Sequence, residues 1–412
     1  MSMLFKLGWR NIWRNKRRSI LTILAIAFAT FLTVAFEGMT IGTWEYSVSN
    51  SVELFSGYLQ IQKQGFQENP SLNKNFAFPG KVADCINNVP NIIGFAPRIQ
   101  TDGLISFRDN SSGTAIIGID PQAEVKLSRF QDRIRKGRMI RQDGLDEMVV
   151  GITLLKNLSA EIGDTVVLLA QGYDGVMGNQ KFQVVGAMKF GTAEIDATMI
   201  LLHYQAAQEL LAMNGLVNIV VIGTQGLQMV ENVHDTVQES LQRHGLNHLS
   251  ILTWSEVMPE LKQGMDLDKI NHSIFMAILV IVVAFGVMNT VLMSITERFR
   301  EFGITLALGM QSSGLVKLVL IETIFISLVG IAIGGIIGHC VNLYFYYHPI
   351  LLGGNVGQLY EEYGFLPMII PTIRLSVPFI ATGLIFLLCC LASLYPLYRV
   401  QNLEPLKGIR HT

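Results

Sequence analysis

Four long apolar runs, at 19–41, 274–295, 315–341 and 375–397, govern what this chain can become. Apart from Lys317 in the opening turn of the third, none contains Lys or Arg. At about 1.5 Å per helical residue, each is long enough to cross roughly 30 Å of hydrocarbon. Backbone polar groups in lipid must be satisfied within their own segment, so runs of this length imply transmembrane helices. Composition agrees, since only 15% of the residues are charged and the mean hydropathy is +0.40, whereas soluble domains are about a quarter charged. The first run follows Lys6, Arg10, Arg14, Lys16, Arg17 and Arg18 and contains Ala27-Phe28-Ala29, the outline of a secretory signal. Its apolar residues continue to Ile41, past the usual length of such a region, so a retained helix is expected.

Basic residues set the orientation. Six precede the first run; Arg298, Arg300 and Lys317 lie between or at the ends of the second and third; Arg399, Lys407 and Arg410 follow the fourth. Loops rich in Lys and Arg stay in the cytoplasm, so both termini are expected inside. The resulting division is a cytoplasmic interfacial helix at 1–18, spans at 19–41, 271–296, 314–343 and 374–398, an extracytoplasmic domain at 42–270, a cytoplasmic turn at 297–313, a short outer loop at 344–373 and a cytoplasmic tail at 399–412. Within 3–17, Leu4, Leu7 and Ile12 recur at helical spacing among basic residues, with Trp9 and Trp13 four apart, a pattern suited to the membrane interface.

The large polar region reads as α+β. Short runs rich in Val and Ile, bounded by Gly, Asp, Asn or Pro, predict strands at 57–63, 104–108, 114–119, 147–151, 165–170, 181–187, 198–202, 217–222 and 249–253. Helical patterns lie at 80–88, 152–160, 203–213, 227–243 and 254–265. Residues 169–182 predict a hairpin whose tip carries Tyr173, Val176 and Met177, a candidate grip for an apolar partner.

Catalytic signatures are missing from the sequence. No P-loop, HExxH, GxSxG or GxGxxG occurs, and the four cysteines, Cys85, Cys340, Cys389 and Cys390, have no zinc spacing. A non-catalytic chain with no cofactor or metal of its own is expected, and a net charge of −1 gives no basis for nucleic-acid binding. Polar residues inside the spans are few. Glu322 sits in the third run, where an acid is costly and marks either a function or a structural partner for a helix-end Arg. Asn289 in the second is expected to bond to a neighbouring helix. Gly330, Gly334 and Gly338 form a row permitting close helix approach, within the chain or between subunits. The sharpest segment is 296–310, in which Glu297, Arg298 and Glu301 give way to Phe302, Gly303, Leu306, Ala307, Leu308 and Gly309. It reads as a short helix bounded by Gly303 and Gly309 in a tight cytoplasmic turn, able to pass force from a partner to two spans.

The stretch ERFREFGITLALG, the opening LGWRNIWRNKRRSILTILAI and the closing YPLYRVQNLEPLKGIR resemble the FtsX/MacB/Lol-type ABC permeases, the type VII or mechanotransmission superfamily. GIDPQAE at 118–124 and the segments 149–169 and 182–211 are similar to its lipoprotein-releasing LolC/LolE subgroup. The resemblance implies four transmembrane helices with a periplasmic α+β domain inserted between the first and second, in a bacterial inner membrane. It implies a separate cytoplasmic ATPase dimer, holding ATP and Mg, docked on the coupling segment, and a second permease chain, identical or paralogous. Membrane lipids, a lipoprotein cargo and a periplasmic carrier are the other implied partners. A MacB-like efflux component and an FtsX-like regulator of a periplasmic enzyme are the alternative functions. The tip at 169–182 lacks the proline-rich character of a carrier-binding hook.

Overall fold

The computed structural model describes residues 7, 10, 13, 14, 16–190, 193–355, 357 and 368–401. The interfacial helix expected at 3–17 and the tail expected at 399–412 fall largely outside the described residues, and residues 399–401 continue the last helix rather than beginning the tail. The chain forms two compact units.

The first unit carries four helices long and apolar enough to cross a membrane. They are α1 (Lys16–Ser51), α2 (Pro259–Glu297), α4 (Ser312–Tyr347) and α5 (Ser376–Gln401), with the short helix α3 (Phe299–Ala307) between α2 and α4. Helices α1 and α2 run well beyond the apolar stretches that announce them, by about ten residues after Ile41 and fifteen before Ile274. Within α1, the hydroxyls of Thr30 and Thr33 donate to the carbonyls of Ile26 and Ala29, which satisfies them inside the helix. Val291, Ile295, Phe302, Leu315, Val319 and Ile385 belong to one buried cluster that joins α2, α3, α4 and α5.

Burial is uneven among these helices. The apolar window of α1 is 50% buried and that of α4 39%, but that of α2 only 17%. Asn289 is exposed on α2 rather than bonded to a neighbour, because α2 turns most of its surface away from the other helices.

The second unit, Tyr46–Gly264 with Leu352–Pro367, is an α+β domain. Its strands are β1 (Leu59–Lys63), β2 (Phe76–Ala77), β3 (Ile92–Phe107), β4 (Asn110–Ile119), β5 (Ile134–Gly137), β6 (Glu147–Gly151), β7 (Thr165–Gln171), β8 (Met177–Met188), β9 (Met199–His203), β10 (Leu216–Val217), β11 (Ile219–Thr224) and β12 (Leu249–Thr253). Ten of them form one sheet in the order β12-β1-β11-β3-β4-β9-β6-β8-β5, with β7 bridging β3 and β8. The pairs β4–β9 and β6–β8 are parallel and the others antiparallel. Strand β3 is long enough to serve two neighbourhoods: its first half pairs with β11 and its second with β4 and β7.

The helix Val230–Arg243 shows why these segments fold as they do. Val230, Val233, Val237 and Leu241 recur every three or four residues and are all buried, while the intervening Glu, Asp and Gln face solvent. Asp120 caps the turn Pro121–Glu124, accepting from the amides of Gln122 and Ala123. That turn delivers Glu124 to Arg98, both buried, at 2.6 and 2.9 Å.

Every strand segment expected from the sequence overlaps a strand here. The opening half of β3, the edge strand β5 and the two-residue strand β2 lie outside the expected segments. Pro97 and Arg98 interrupt the first, and the second reads Ile-Arg-Lys-Gly, with no apolar alternation.

Candidate coupling site

Helix α3 is separated from α2 by a single residue, Arg298, at φ −103° and ψ 12°. Gly309 follows its end at φ +96°, a left-handed conformation that glycine adopts without steric cost. Gly303 lies in the middle of α3 and is buried, so it does not bound the helix as the sequence suggested. Glycine is tolerated at that point because tertiary packing outweighs its weak helix preference.

The two faces of α3 do different things. Phe302 and Gly303 point inward and Phe302 joins the buried cluster, against which Phe299 and Leu306 also pack. Arg300, Glu301, Ile304, Ala307 and Leu308 point outward, with Ile304 47% and Leu308 84% exposed. Of the residues singled out from the sequence, Arg298, Phe302 and Gly303 are therefore unavailable to a partner. Glu297, Glu301, Ala307, Leu308 and Gly309 are exposed. Arg300 and Ile304 complete the outward face, and the sequence reading missed both. Their spacing with Ala307 and Leu308, at i, i+4, i+7 and i+8, was the signal that would have found them.

A buried ion pair fixes the inward face, and two exposed charges extend it. Arg298 Nη1 donates to both carboxylate oxygens of Glu322, at 3.0 and 2.9 Å, and both residues are buried. Its Nε donates to Glu301 at 3.3 Å, and its guanidinium lies 4.9 Å from the Phe302 ring centroid. Glu301 also accepts from Arg14 at 2.7 Å. The Arg14 hydrogen bond, assisted by Arg298, holds the Glu301 carboxyl below the usual carboxylate range.

Farther along α4, Gly330, Gly334 and Gly338 face α1 of the same chain. A Cβ at Gly330 would lie 2.9 Å from Ile26 Cβ, one at Gly334 2.8 Å from Thr30 Cβ, and one at Gly338 2.9 Å from Val34 Cβ. Asn342, one turn on, donates to the Val34 carbonyl at 2.9 Å. Other contacts gather at the far end of the unit. Glu37 meets His272 Nε2 at 2.8 Å, Thr40 meets His272 Nδ1 at 3.3 Å, and Phe36 packs on Phe275 with centroids 5.1 Å apart. Beside this zipper α1 and α2 line an apolar groove of about 420 Å³, bordered by Phe28, Leu32, Phe275, Ile278, Val282 and their neighbours.

In the second unit, the β7–β8 hairpin closes through Gly172–Val176 and an Asp174 side chain that accepts from the Val176 amide at 3.0 Å. Tyr173, Val176 and Met177 are 44%, 64% and 61% exposed. Glu147, at the start of β6, accepts from Arg138 at 2.7 Å and from the Arg141 amide at 2.9 Å. Arg138 is the main reason its pKa is held down to about 2. No group of three His, Cys, Asp or Glu residues able to hold a metal occurs among the described residues.

Comparison with known proteins places this architecture. Residues 19–239 match the model of the MacB-like periplasmic core domain, and residues 273–405 that of the FtsX-like permease C-terminal region. The lipoprotein-releasing system transmembrane protein LolC of Neisseria meningitidis is 24% identical over 346 residues, 79% of each chain. The macrolide export ATP-binding/permease protein MacB of Acinetobacter baylyi is 22% identical over 372 residues, 88% of this chain and 52% of that protein. Among solved structures, the periplasmic region of MacB from Actinobacillus actinomycetemcomitans aligns with a TM-score of 0.37 and 13% identity, over 53% of this chain and 97% of that one. With the periplasmic-core model spanning more than half of its length and the permease model most of the rest, this multi-pass membrane chain belongs to the FtsX/MacB/LolC-type ABC transporter permeases.

Proposed function

We propose that this chain is the permease subunit of an ABC transporter that releases lipoproteins from the inner membrane, driven by ATP hydrolysis in a separate chain. The observation that carries the coupling half of this reading is the two-faced α3. Its inward face is fixed by Phe302 and the Arg298–Glu322 pair, and its outward face offers Arg300, Ile304, Ala307 and Leu308. A short helix that is anchored on one side and apolar on the other suits docking into a groove on a partner. In this arrangement both termini and α3 are cytoplasmic, ATP and Mg belong to the ATPase dimer, and the periplasmic core lies in the chain between α1 and α2. A second permease chain completes the assembly.

The lipoprotein half rests on the relatedness to LolC and on the groove between α1 and α2. That groove is almost wholly apolar. An acyl chain satisfies such a lining without leaving a polar group unpaired. The hairpin tip at Tyr173, Val176 and Met177 would then meet a periplasmic carrier. A second reading, a MacB-like efflux component, is favoured by the relatedness to MacB proteins; this chain spans about half the length of the MacB relative, whose name includes an ATP-binding part.

The test is affinity purification of the tagged chain in mild detergent, with mass spectrometry and an ATPase assay. A co-purifying ATPase together with an acylated protein supports lipoprotein release. An ATPase with a periplasmic adaptor and no acylated protein favours efflux. A chain that emerges alone, even after crosslinking, sinks the coupling reading.

A further inference from the structure

We infer that Arg298 and Glu322 are positioning residues that lock the coupling helix onto α4, so that displacement of α3 reaches α1 through α4 and its glycine seam. The inference rests on the reading of α3 as the ATPase-coupling helix and says which span receives the motion.

The break at Arg298 leaves α3 joined to α2 by one non-helical residue, a hinge rather than a rod. Across that hinge the Arg298 side chain reaches Glu322, 24 positions later, at the end of the third turn of α4. Its planar guanidinium makes three bonds at once, two to Glu322 and one to Glu301, and stacks on Phe302. A lysine ammonium is a point charge and cannot reproduce that set. The carboxylate borders a small cavity to which Ser19, Thr22, Thr290, Ser294 and Thr323 contribute polar groups among apolar neighbours such as Ile26 and Val287. A charge held inside a helix bundle needs such surroundings, and losing either partner leaves the other buried and uncompensated.

From α4 the path to α1 is direct. At Gly330, Gly334 and Gly338 the helices approach so closely that a methyl group would strike α1, and Asn342 ties the seam to a backbone carbonyl. Packed interfaces of this kind are bistable or rigid, not continuously deformable. Between α1 and α2 the contact is looser: Ile26 and Val287 share the buried cluster, and beside them the two helices line an apolar groove. A stiff route from α3 to α1 therefore runs through Arg298, Glu322 and the seam.

The experiment measures the position of α3 with no ATPase present. Spin labels are placed at the exposed positions Ile304 and Tyr347 in the full chain in nanodiscs, on a background lacking Cys85, Cys340, Cys389 and Cys390 that keeps the thermal midpoint. Distances are read by double electron–electron resonance. A single narrow distance is expected with Glu322 and Arg298 intact, lost to a broad or shifted distribution in Glu322→Gln and Arg298→Gln, with Arg298→Lys intermediate. An unchanged distribution in both glutamine variants would overturn the anchor. Should Glu322→Gln fail to fold, Glu322→Asp keeps the charge and shortens the reach; the same loss is expected, and an unaltered distance again overturns the proposal. The coupling reading is scored separately. An ATPase that co-purifies with Glu322→Gln but whose turnover no longer responds to the permease supports the anchor. An ATPase that never binds the unmodified chain removes the coupling role and leaves the distance result standing as a statement about the permease alone.

Discussion

Gly334 leaves no room for a side chain against Ala27: a Cβ built there would fall on the Ala27 carbonyl oxygen and lie 2.9 Å from its carbonyl carbon. The obstruction is helix backbone, which cannot rotate away as a side chain can. Alanine is the better helix former by about 1 kcal/mol, so on propensity alone Gly334→Ala would stabilise. The contact decides the sign, because overpacking costs typically 1–3 kcal/mol and here neither backbone yields. Gly334→Ala is expected to lower the thermal midpoint of the detergent-solubilised chain, and Gly334→Leu to lower it further. Gly286, inside α2 with open space where its Cβ would go, supplies the control: Gly286→Ala should raise the midpoint slightly. Equal midpoints for Gly334→Ala and Gly286→Ala would refute the seam.

Acid should weaken the periplasmic core through Glu147. Its folded pKa of about 2 lies below the usual value of 4.5, so the carboxylate adds stability that is fully present above pH 4.5. That contribution is lost as the pH falls through 4.5 toward 2. Arg138 and Arg141 are 42% and 65% exposed, so solvent screens the pair, and a contribution on the order of 2 kcal/mol is reasonable. In Glu147→Gln the midpoint at pH 7 should drop and its decline between pH 5 and pH 2.5 should flatten. Parallel pH profiles for the two proteins would show that Glu147 contributes nothing.

The spans were legible in the sequence because absence of charge over twenty residues has few meanings. The strands of the core were legible where Val and Ile cluster, as in β6 and β11, and not where Pro97 and Arg98 sit inside β3. The site was legible only in part. Glu322 stood out as an acid among apolar residues, and a helix-end Arg was one of its two expected readings; which Arg it would be, Arg298 across a helix break 24 residues away, is a relation that no periodicity encodes. Phe302 and Leu308 are alike in composition, and only packing sends one into the core and the other to 84% exposure. The glycine row spoke for close approach without naming the neighbour, which is α1 of the same chain.

The groove between α1 and α2 makes its own prediction. Ile278 is 57% exposed and lines it, so Ile278→Trp adds bulk where no helix needs to move. The midpoint should stay within about 1 °C, since substitutions away from core features usually fall within ±0.5 kcal/mol. Release of an acylated substrate from proteoliposomes should fall while ATPase binding persists. Undiminished release would mean that the groove is ordinary lipid-facing surface.

The outward stripe of α3 is tested by charge. Leu308 and Ile304 are apolar and exposed, and contribute little to folding where they stand. An interface built on such a stripe concentrates its energy in a few buried apolar anchors, each worth about 2 kcal/mol or more when truncated. Leu308→Glu would place an acid where the partner's groove must desolvate it, at a cost comparable to burying an unpaired charge. The thermal midpoint of the isolated permease should be unchanged, and recovery of the ATPase with the tagged chain should drop at least about tenfold, the equivalent of about 1.4 kcal/mol. Phe302→Ala inverts the pattern. Phe302 is 3% exposed, so its loss should lower the midpoint by removing a buried aromatic, and any loss of ATPase binding should follow from that disorder. Leu308→Glu retaining full ATPase recovery, or Phe302→Ala leaving the midpoint intact, would contradict the division of α3 into an anchored face and a docking face.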